Sequence, residues 1–153
     1  MLTFPNIIIA MITPFNQDGS VNYEAAVELA KKYADDGSGI LLGATTGEGA
    51  VMTEDEKLKL FKLVADELKG KTLIMGNVGT NNTIESIAMA KKAEATGVDL
   101  LLCIVPYYNK PNQDGCYAHF SAIAKGDVRR CRLSSTTYRA VRAAASNRKR
   151  SVA

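Results

Sequence analysis

The sequence lacks several features on which whole classes of protein depend. Its 153 residues include no tryptophan, one histidine and three cysteines, and no apolar run approaches the roughly 20 residues that span a bilayer. Asn6, Thr13 and Pro14 interrupt the early apolar residues, so no secretory signal is predicted. The three cysteines, an odd number without metal-like spacing, predict neither disulfides nor a metal site. These absences favour a cytoplasmic globular protein with no metal, cofactor or membrane partner.

Arginine is missing from most of the chain and then becomes abundant. Residues 1–125 hold 11 Lys, no Arg and 15 Asp or Glu, a net charge of −4. Residues 126–153 hold 7 Arg, one Lys and one Asp, a net charge of +7. Two interpretations compete: a basic tail that binds nucleic acid, or a tail that does not belong to the preceding domain.

Four strand–helix repeats are predicted over the first 125 residues. Continuous apolar runs, typical of strands buried on both faces, lie at Ile7–Ile12, Gly39–Gly43, Thr72–Gly76 and Leu100–Val105. A helical pattern follows each strand. The first covers about 22–36, and the second begins at a capping box formed by Thr53 and Glu56. The third runs from Asn82 or Thr83 to near Gly97, and the fourth covers 113–124. This α/β repeat predicts a parallel sheet covered by helices.

Two architectures contain such repeats, and the first loop discriminates between them. A doubly wound sheet usually carries a glycine-rich phosphate-binding turn after its first strand. This chain has Thr13-Pro14-Phe15 at that position. We therefore predict a (β/α)8 barrel, for which four βα units are half of the complete set.

The segment from Ile40 to Glu48 is the strongest indication of chemistry. An apolar strand ends at two adjacent hydroxyls, Thr45 and Thr46, followed by Gly47 and Glu48. Barrels place their active sites at such carboxyl ends. The two threonines can bind a small carboxylate or transfer a proton, although an ordinary polar turn is the alternative interpretation.

Three segments resemble the dihydrodipicolinate synthase family of pyruvate-dependent Schiff-base lyases and aldolases, which includes N-acetylneuraminate lyase. They are Ala10–Phe15, Ala44–Glu48 and Pro106–Pro111, within a resemblance that runs from Thr3 to about Lys125. Thr-Thr before Gly-Glu, and Asn after Tyr-Tyr, resemble the synthases rather than the sialic acid lyases. Ala44 replaces the family's usual glycine, and Gly49 its usual serine.

The resemblance implies that residues 1–125 are the N-terminal half of a TIM barrel. In the family, a lysine forms a Schiff base with pyruvate, and the enamine attacks aspartate 4-semialdehyde to give 4-hydroxy-tetrahydrodipicolinate for lysine and diaminopimelate biosynthesis. No cofactor is implied. The complete proteins are implied to be homo-oligomers, tetramers built from dimers.

Residue roles follow from the resemblance by position. Thr45 would join a proton relay with Tyr108 of a neighbouring subunit, and Thr46 would bind the pyruvate carboxylate. Tyr107 resembles an interface or effector-pocket position, and the alternative is a barrel-mouth tyrosine that packs against its neighbours. Asn81 and Glu85 weakly resemble positions near the lysine-feedback pocket of some family members. His119 is interpreted as structural, and Lys110 and Lys125 lie outside the apolar strands that suit a Schiff-base amine.

The resemblance ends where the charge changes. The family continues with a fifth strand that bears a second relay tyrosine, whereas residues 133–142 read Leu-Ser-Ser-Thr-Thr-Tyr-Arg-Ala-Val-Arg. Residues 134–142 can be encoded by codons that also have a meaning in a shifted frame. Translated from the third base, these codons give Leu-Tyr-Asn-Ile-Pro-Gly-Arg-Thr, which is similar to the family's fifth strand. We therefore interpret residues 126–153 as an out-of-frame, Arg-rich tail that is disordered and binds no nucleic acid.

This interpretation has consequences for activity. Tyr138 and Arg139 are not the family's catalytic tyrosine and arginine, and the Schiff-base lysine belongs to a sixth strand that these residues do not include. The chain is therefore predicted to be an inactive, truncated lyase. The alternatives are another pyruvate-dependent aldolase such as N-acetylneuraminate lyase, or a non-enzymatic protein that binds nucleic acid or another half-barrel.

Overall fold

Strands and helices alternate throughout the computed structural model, which describes residues 4–126 and 132–135. The elements, in chain order, are β1 Ile8–Ala10, α1 Tyr23–Asp35, β2 Gly39–Leu42, α2 Glu54–Leu68, β3 Ile74–Asn77, α3 Thr83–Ala95, β4 Leu100–Cys103, α4 Gln113–Lys125 and β5 Arg132–Ser135. The strands form one parallel sheet in the order β1-β2-β3-β4-β5. Four consecutive βα units confirm the repeat predicted from the sequence.

Each helix begins at a polar side chain that caps its first turn. The predicted capping box is present, since the Thr53 hydroxyl accepts from the backbone N–H of Glu56 at 3.3 Å and the Glu56 carboxylate accepts from the backbone N–H of Thr53 at 2.8 Å. The caps of the other helices are Asn22, Asn82 and Asn112. These local bonds satisfy backbone donors that a helix leaves unpaired.

The sheet buries apolar side chains on both faces. Alternate strand residues, such as Ile74 and Leu101, pack with Phe61 and other helix residues in one core cluster. The residues between them form a second cluster, made of Leu73, Met75, Leu100 and Leu102. Because successive strand side chains point to opposite faces, the helices cover one face and the second cluster lies on the other.

The edges of the sheet differ from the sequence prediction. β1 is shorter than the predicted Ile7–Ile12, and the side chains of Ile7 and Ile12 are 63% and 54% exposed. At the other edge, residues 126–153 were predicted to be disordered, but residues 132–135 form a strand. Parallel to β4, they pair from Leu100↔Arg132 to Cys103↔Ser135.

Residues 132–135 can pair with β4 because of the way in which parallel strands bond. The bonds join backbone N–H and C=O groups, so a segment without an apolar pattern can still occupy a free sheet edge.

Residues 127–131 and 136–153, with most of the out-of-frame interpretation, lie outside the described residues. Within the described ranges, no helix combines the length and apolar character required to cross a membrane.

Candidate functional site

The turn that follows β2 presents two hydroxyls to solvent. Thr45 and Thr46 are exposed. The turn is closed by backbone bonds from Gly47 and Gly49 to Ala44 O, at 3.1 and 3.0 Å. Neither backbone N–H of the two threonines donates to another described residue. Two hydroxyls and two unused amides at a strand end form a suitable environment for a small carboxylate.

Glycine is required within this turn because the backbone folds back on itself. A Cβ at Gly47 would lie 2.8 Å from Met11 O, and one at Gly49 would lie 1.8 Å from Gly43 O. Gly43 and Glu48 adopt positive φ angles of 63° and 54°. The replacement of the family's usual serine by Gly49 therefore agrees with a turn that leaves no space for a side chain.

Two buried side chains that sequence reasoning did not select hold the same turn. Thr13, after β1, donates from Oγ1 to Gly47 O at 2.7 Å. Asn77, at the end of β3, donates from Nδ2 to Gly43 O at 2.9 Å. Their position after neighbouring strands is the only signal the sequence offers, since both bonds join residues 34 positions apart.

The loop after β4 carries the two predicted tyrosines in an uncommon backbone conformation. Tyr108 has φ 68° and Lys110 has φ 45°, and the Tyr108 side chain is 93% exposed whereas Tyr107 is 49% exposed. No hydrogen bond links Tyr108 to Thr45 within residues 4–126. Within one chain, these two predicted relay residues are therefore not hydrogen-bonded to each other among the described residues.

Asn81 and Asn109 join the loops that follow β3 and β4. Asn81 Nδ2 donates to Asn109 Oδ1 at 3.1 Å, and Asn109 Nδ2 donates to Asn81 O at 3.2 Å. Glu85, in the first turn of α3, accepts from Asn82 Nδ2 at 3.0 Å. Of the weaker candidates, Asn81 thus shares a loop contact with the Tyr107–Lys110 segment, while Glu85 bonds to its own helix cap.

His119 is a residue of α4 that contacts the start of α3. Its Nδ1 is 2.8 Å from Thr83 Oγ1, and its ring contacts Phe120 edge to face with centroids 5.3 Å apart. Burial lowers the pKa of His119 below its usual value, so the neutral imidazole is favoured. These contacts agree with the structural role interpreted from the sequence.

Lysines of the described residues stand on helices or in loops. Lys57 of α2 is half-buried, and this burial lowers the pKa of its amine. Lys110 is exposed in the loop after β4. Among the residues that the structure describes, no cluster of three or more His, Cys, Asp or Glu could hold a metal ion.

Comparisons with known proteins agree with this geometry. The model of the Dihydrodipicolinate synthetase family matches residues 3–129. The 4-hydroxy-tetrahydrodipicolinate synthase of Symbiobacterium thermophilum is 45% identical over 126 residues, which are 82% of this chain and 43% of the relative. That of Thermosynechococcus vestitus is 46% identical over 126 residues, again 82% and 43% of the two proteins.

Solved structures of similar proteins share the fold. The dihydrodipicolinate synthase of Cyanidioschyzon merolae, solved with lysine bound, has a TM-score of 0.82 and is 39% identical in sequence. The match covers 86% of this chain and 45% of the relative. The chloride-inhibited synthase of Acinetobacter baumannii, complexed with pyruvate, has a TM-score of 0.81 and 31% identity, with coverage of 87% and 45%.

These matches settle the fold class and its extent. The chain spans less than half the length of the curated relatives it matches. The predicted TIM-barrel family is confirmed, with four parallel βα units that correspond to half of a barrel. On the strength of its turn after β2, its parallel sheet and its match over residues 3–129, the chain belongs to the dihydrodipicolinate synthetase family.

Proposed function

We propose that these residues supply part of the active site of a lyase that condenses pyruvate with aspartate 4-semialdehyde. The product would be 4-hydroxy-tetrahydrodipicolinate, in lysine and diaminopimelate biosynthesis in the cytoplasm. The observation that carries the proposal is the exposed Thr45–Thr46 pair at the carboxyl end of β2. Relatives named as this synthase, and one complexed with pyruvate, support the choice of substrate.

The roles of the two threonines follow from their chemistry. Thr46 binds the pyruvate carboxylate through its hydroxyl and its unused backbone N–H. Thr45 transfers protons to and from the carbinolamine that precedes the imine, because imine formation requires a group that can both donate and accept. No cofactor and no metal take part in this chemistry.

Tyr108 completes the relay from a neighbouring subunit. Its side chain is 93% exposed, as expected of a residue that acts outside its own chain. The complete protein is then a homo-oligomer, a tetramer built from dimers. Tyr107, Asn81 and Glu85 lie near that interface and form a pocket for the effector lysine, a proposal supported by the lysine-bound relative.

The 153 residues taken alone do not catalyse the reaction. The Schiff-base lysine belongs to a sixth strand of the family barrel, and residues 126–153 are a fifth βα unit translated out of frame that recognises no nucleic acid. The lysines of the described residues lie on helices and loops, outside the strand position that this chemistry uses. DNA sequencing across codons 124–135 tests the frame, because an intact alternative exon would contradict it.

Borohydride trapping with pyruvate tests the proposed function, because reduction converts a Schiff base into a stable pyruvyl-lysine. For the 153-residue chain we expect no adduct by mass spectrometry. We also consider the protein encoded by a gene whose frame is restored after codon 125 and extended to family length. For this extended protein we expect one adduct and consumption of aspartate 4-semialdehyde. An adduct on the short chain would contradict its inactivity, and no adduct on the extended protein would refute the function.

A further inference from the structure

The Thr45–Thr46 turn is held at both ends by side chains from the two strands that flank β2. Thr13 follows β1 and is 5% exposed, and its hydroxyl donates to Gly47 O at 2.7 Å. Asn77 ends β3 and is 7% exposed, and its amide donates to Gly43 O at 2.9 Å. One bond lies before the two threonines and the other lies after them.

The chemistry of these bonds allows little substitution. A carbonyl oxygen only accepts, so the atom of Asn77 that faces Gly43 O must be the amide nitrogen. The Thr13 hydroxyl must likewise use its proton on Gly47 O. Since each bond is buried, an apolar replacement would leave a carbonyl without a partner, which costs more than the bond itself contributes.

The backbone of the turn is also closely packed between these two points. The space at Gly47 and Gly49 is closed by backbone atoms of Met11 and Gly43. Between the fixed ends, the hydroxyls and amides of Thr45 and Thr46 remain unused by other described residues. A ligand therefore meets groups whose positions are set from outside the turn.

We propose that Thr13 and Asn77 are positioning residues that order the Thr45–Thr46 turn through its carbonyls. Neither touches the reacting atoms, and both act through the turn. The ordering itself depends only on the bonds described above. Its consequence for catalysis rests on the proposed function.

Amide exchange in the 153-residue chain, followed by NMR, tests the ordering. The amides of Gly47, Glu48 and Gly49 each donate within the turn and report its opening. We expect exchange roughly tenfold faster in Thr13→Val, from the usual cost of an unsatisfied buried acceptor. Asn77→Leu should accelerate exchange by a smaller factor, because it also removes the buried, unpartnered Asn77 Oδ1. Thr13→Ser keeps the hydroxyl and should restore exchange close to that of the parent.

Thr72→Val is the matched control. Thr72 Oγ1 donates to Ser38 O at 2.7 Å, a bond of the same length before β3 rather than after it. We expect this variant to leave the turn amides unchanged. The proposal is overturned if Thr13→Val and Asn77→Leu exchange like the parent, or if the amides of α2 accelerate as much as those of the turn, since that shows a general loss of stability.

A kinetic measurement on the extended, frame-restored enzyme separates this inference from the proposed function. Thr13→Val should lower kcat/KM for pyruvate roughly tenfold, and Thr13→Ser should recover it. Parent-like kinetics in Thr13→Val would overturn the positioning role. If the extended parent itself shows no condensation, the proposed function fails, and the exchange measurement still decides whether the two side chains order the turn.

Discussion

The hydroxyl of Thr45 carries the proton transfer that we propose, whereas the role we propose for Tyr107 is at a subunit interface. In the extended enzyme, Thr45→Val should therefore reduce kcat by roughly 10²–10⁴-fold, the usual contribution of a general acid–base group. Tyr107→Phe should have a much smaller effect, and Thr45→Ser should retain most of the activity. Steady-state kinetics measure all three, and parent activity in Thr45→Val would remove Thr45 from the mechanism.

Gly49 offers a test of the turn that is independent of activity. Serine is the family's usual residue here, yet Gly49→Ser should destabilise this protein, because its Cβ would lie 1.8 Å from Gly43 O. We expect a loss of about 1–3 kcal/mol, as for other overpacked positions, by chemical denaturation. Ala50→Ser adds the same hydroxyl to the exposed neighbour as a control. Equal stability of both variants would show that the turn rearranges easily.

Local pattern identified some of these side chains and missed others. Thr45 and Thr46 were identified because an apolar strand stops at them, which the sequence shows directly. Thr13 and Asn77 were missed because their function depends on carbonyls 34 positions away. A residue that acts by a distant backbone contact has no periodic or motif signal, so it becomes visible only in the folded chain.

The same distinction applies to helices and strands. The Thr53–Glu56 capping box, and a cap of α3 at Asn82 or Thr83, were predicted because both depend on bonds within four residues. β1 was predicted too long, since the exposed ends of an edge strand lose their pairing. β5 was missed because its partner β4 lies about 30 positions earlier and contributes backbone groups that no side-chain pattern reveals.

The contact between α3 and α4 should make stability depend on pH. Burial lowers the pKa of His119 from 6.5, so the unfolded chain binds a proton more readily than the folded one. The contribution to stability is therefore complete above about pH 6.5 and is lost as the pH falls through the lower, folded pKa. His119 is the only histidine of the chain, which simplifies the measurement.

Denaturation midpoints at about pH 7.5 and 5.5, on either side of the unfolded pKa, test this linkage. The parent should be less stable at the lower pH, and His119→Asn should lose most of that dependence. Thr83→Val removes the hydroxyl that contacts Nδ1 and serves as a second variant, with the titrating ring intact. The same pH dependence in parent and His119→Asn would assign the effect to other groups.

The apolar edge at β1 predicts how the chain behaves in solution. β1 pairs only with β2 among the described strands, and Ile7 and Ile12 beside it are 63% and 54% exposed. Exposed apolar strand edges pair with other chains. We therefore expect the 153-residue protein to self-associate, with an average mass that rises with concentration in sedimentation experiments.

Ile7→Lys is the variant that isolates the edge. A charge at this exposed position opposes edge-to-edge pairing, so association should weaken while the melting transition changes little. Ala10→Ser, at an exposed but small strand residue, provides a control. If the parent protein is a monomer at all concentrations and unfolds in a sharp cooperative transition, this account of the edge is contradicted.

Cys103 gives the sheet a reporter of its own. Burial raises the pKa of its thiol to about 12, and β4 lies between β3 and β5. Thiol reagents attack the thiolate, so alkylation of Cys103 must wait for β4 to separate from the helix layer. The rate of Cys103 alkylation, followed by mass spectrometry, then measures how often the sheet opens. No label has to be introduced for this measurement.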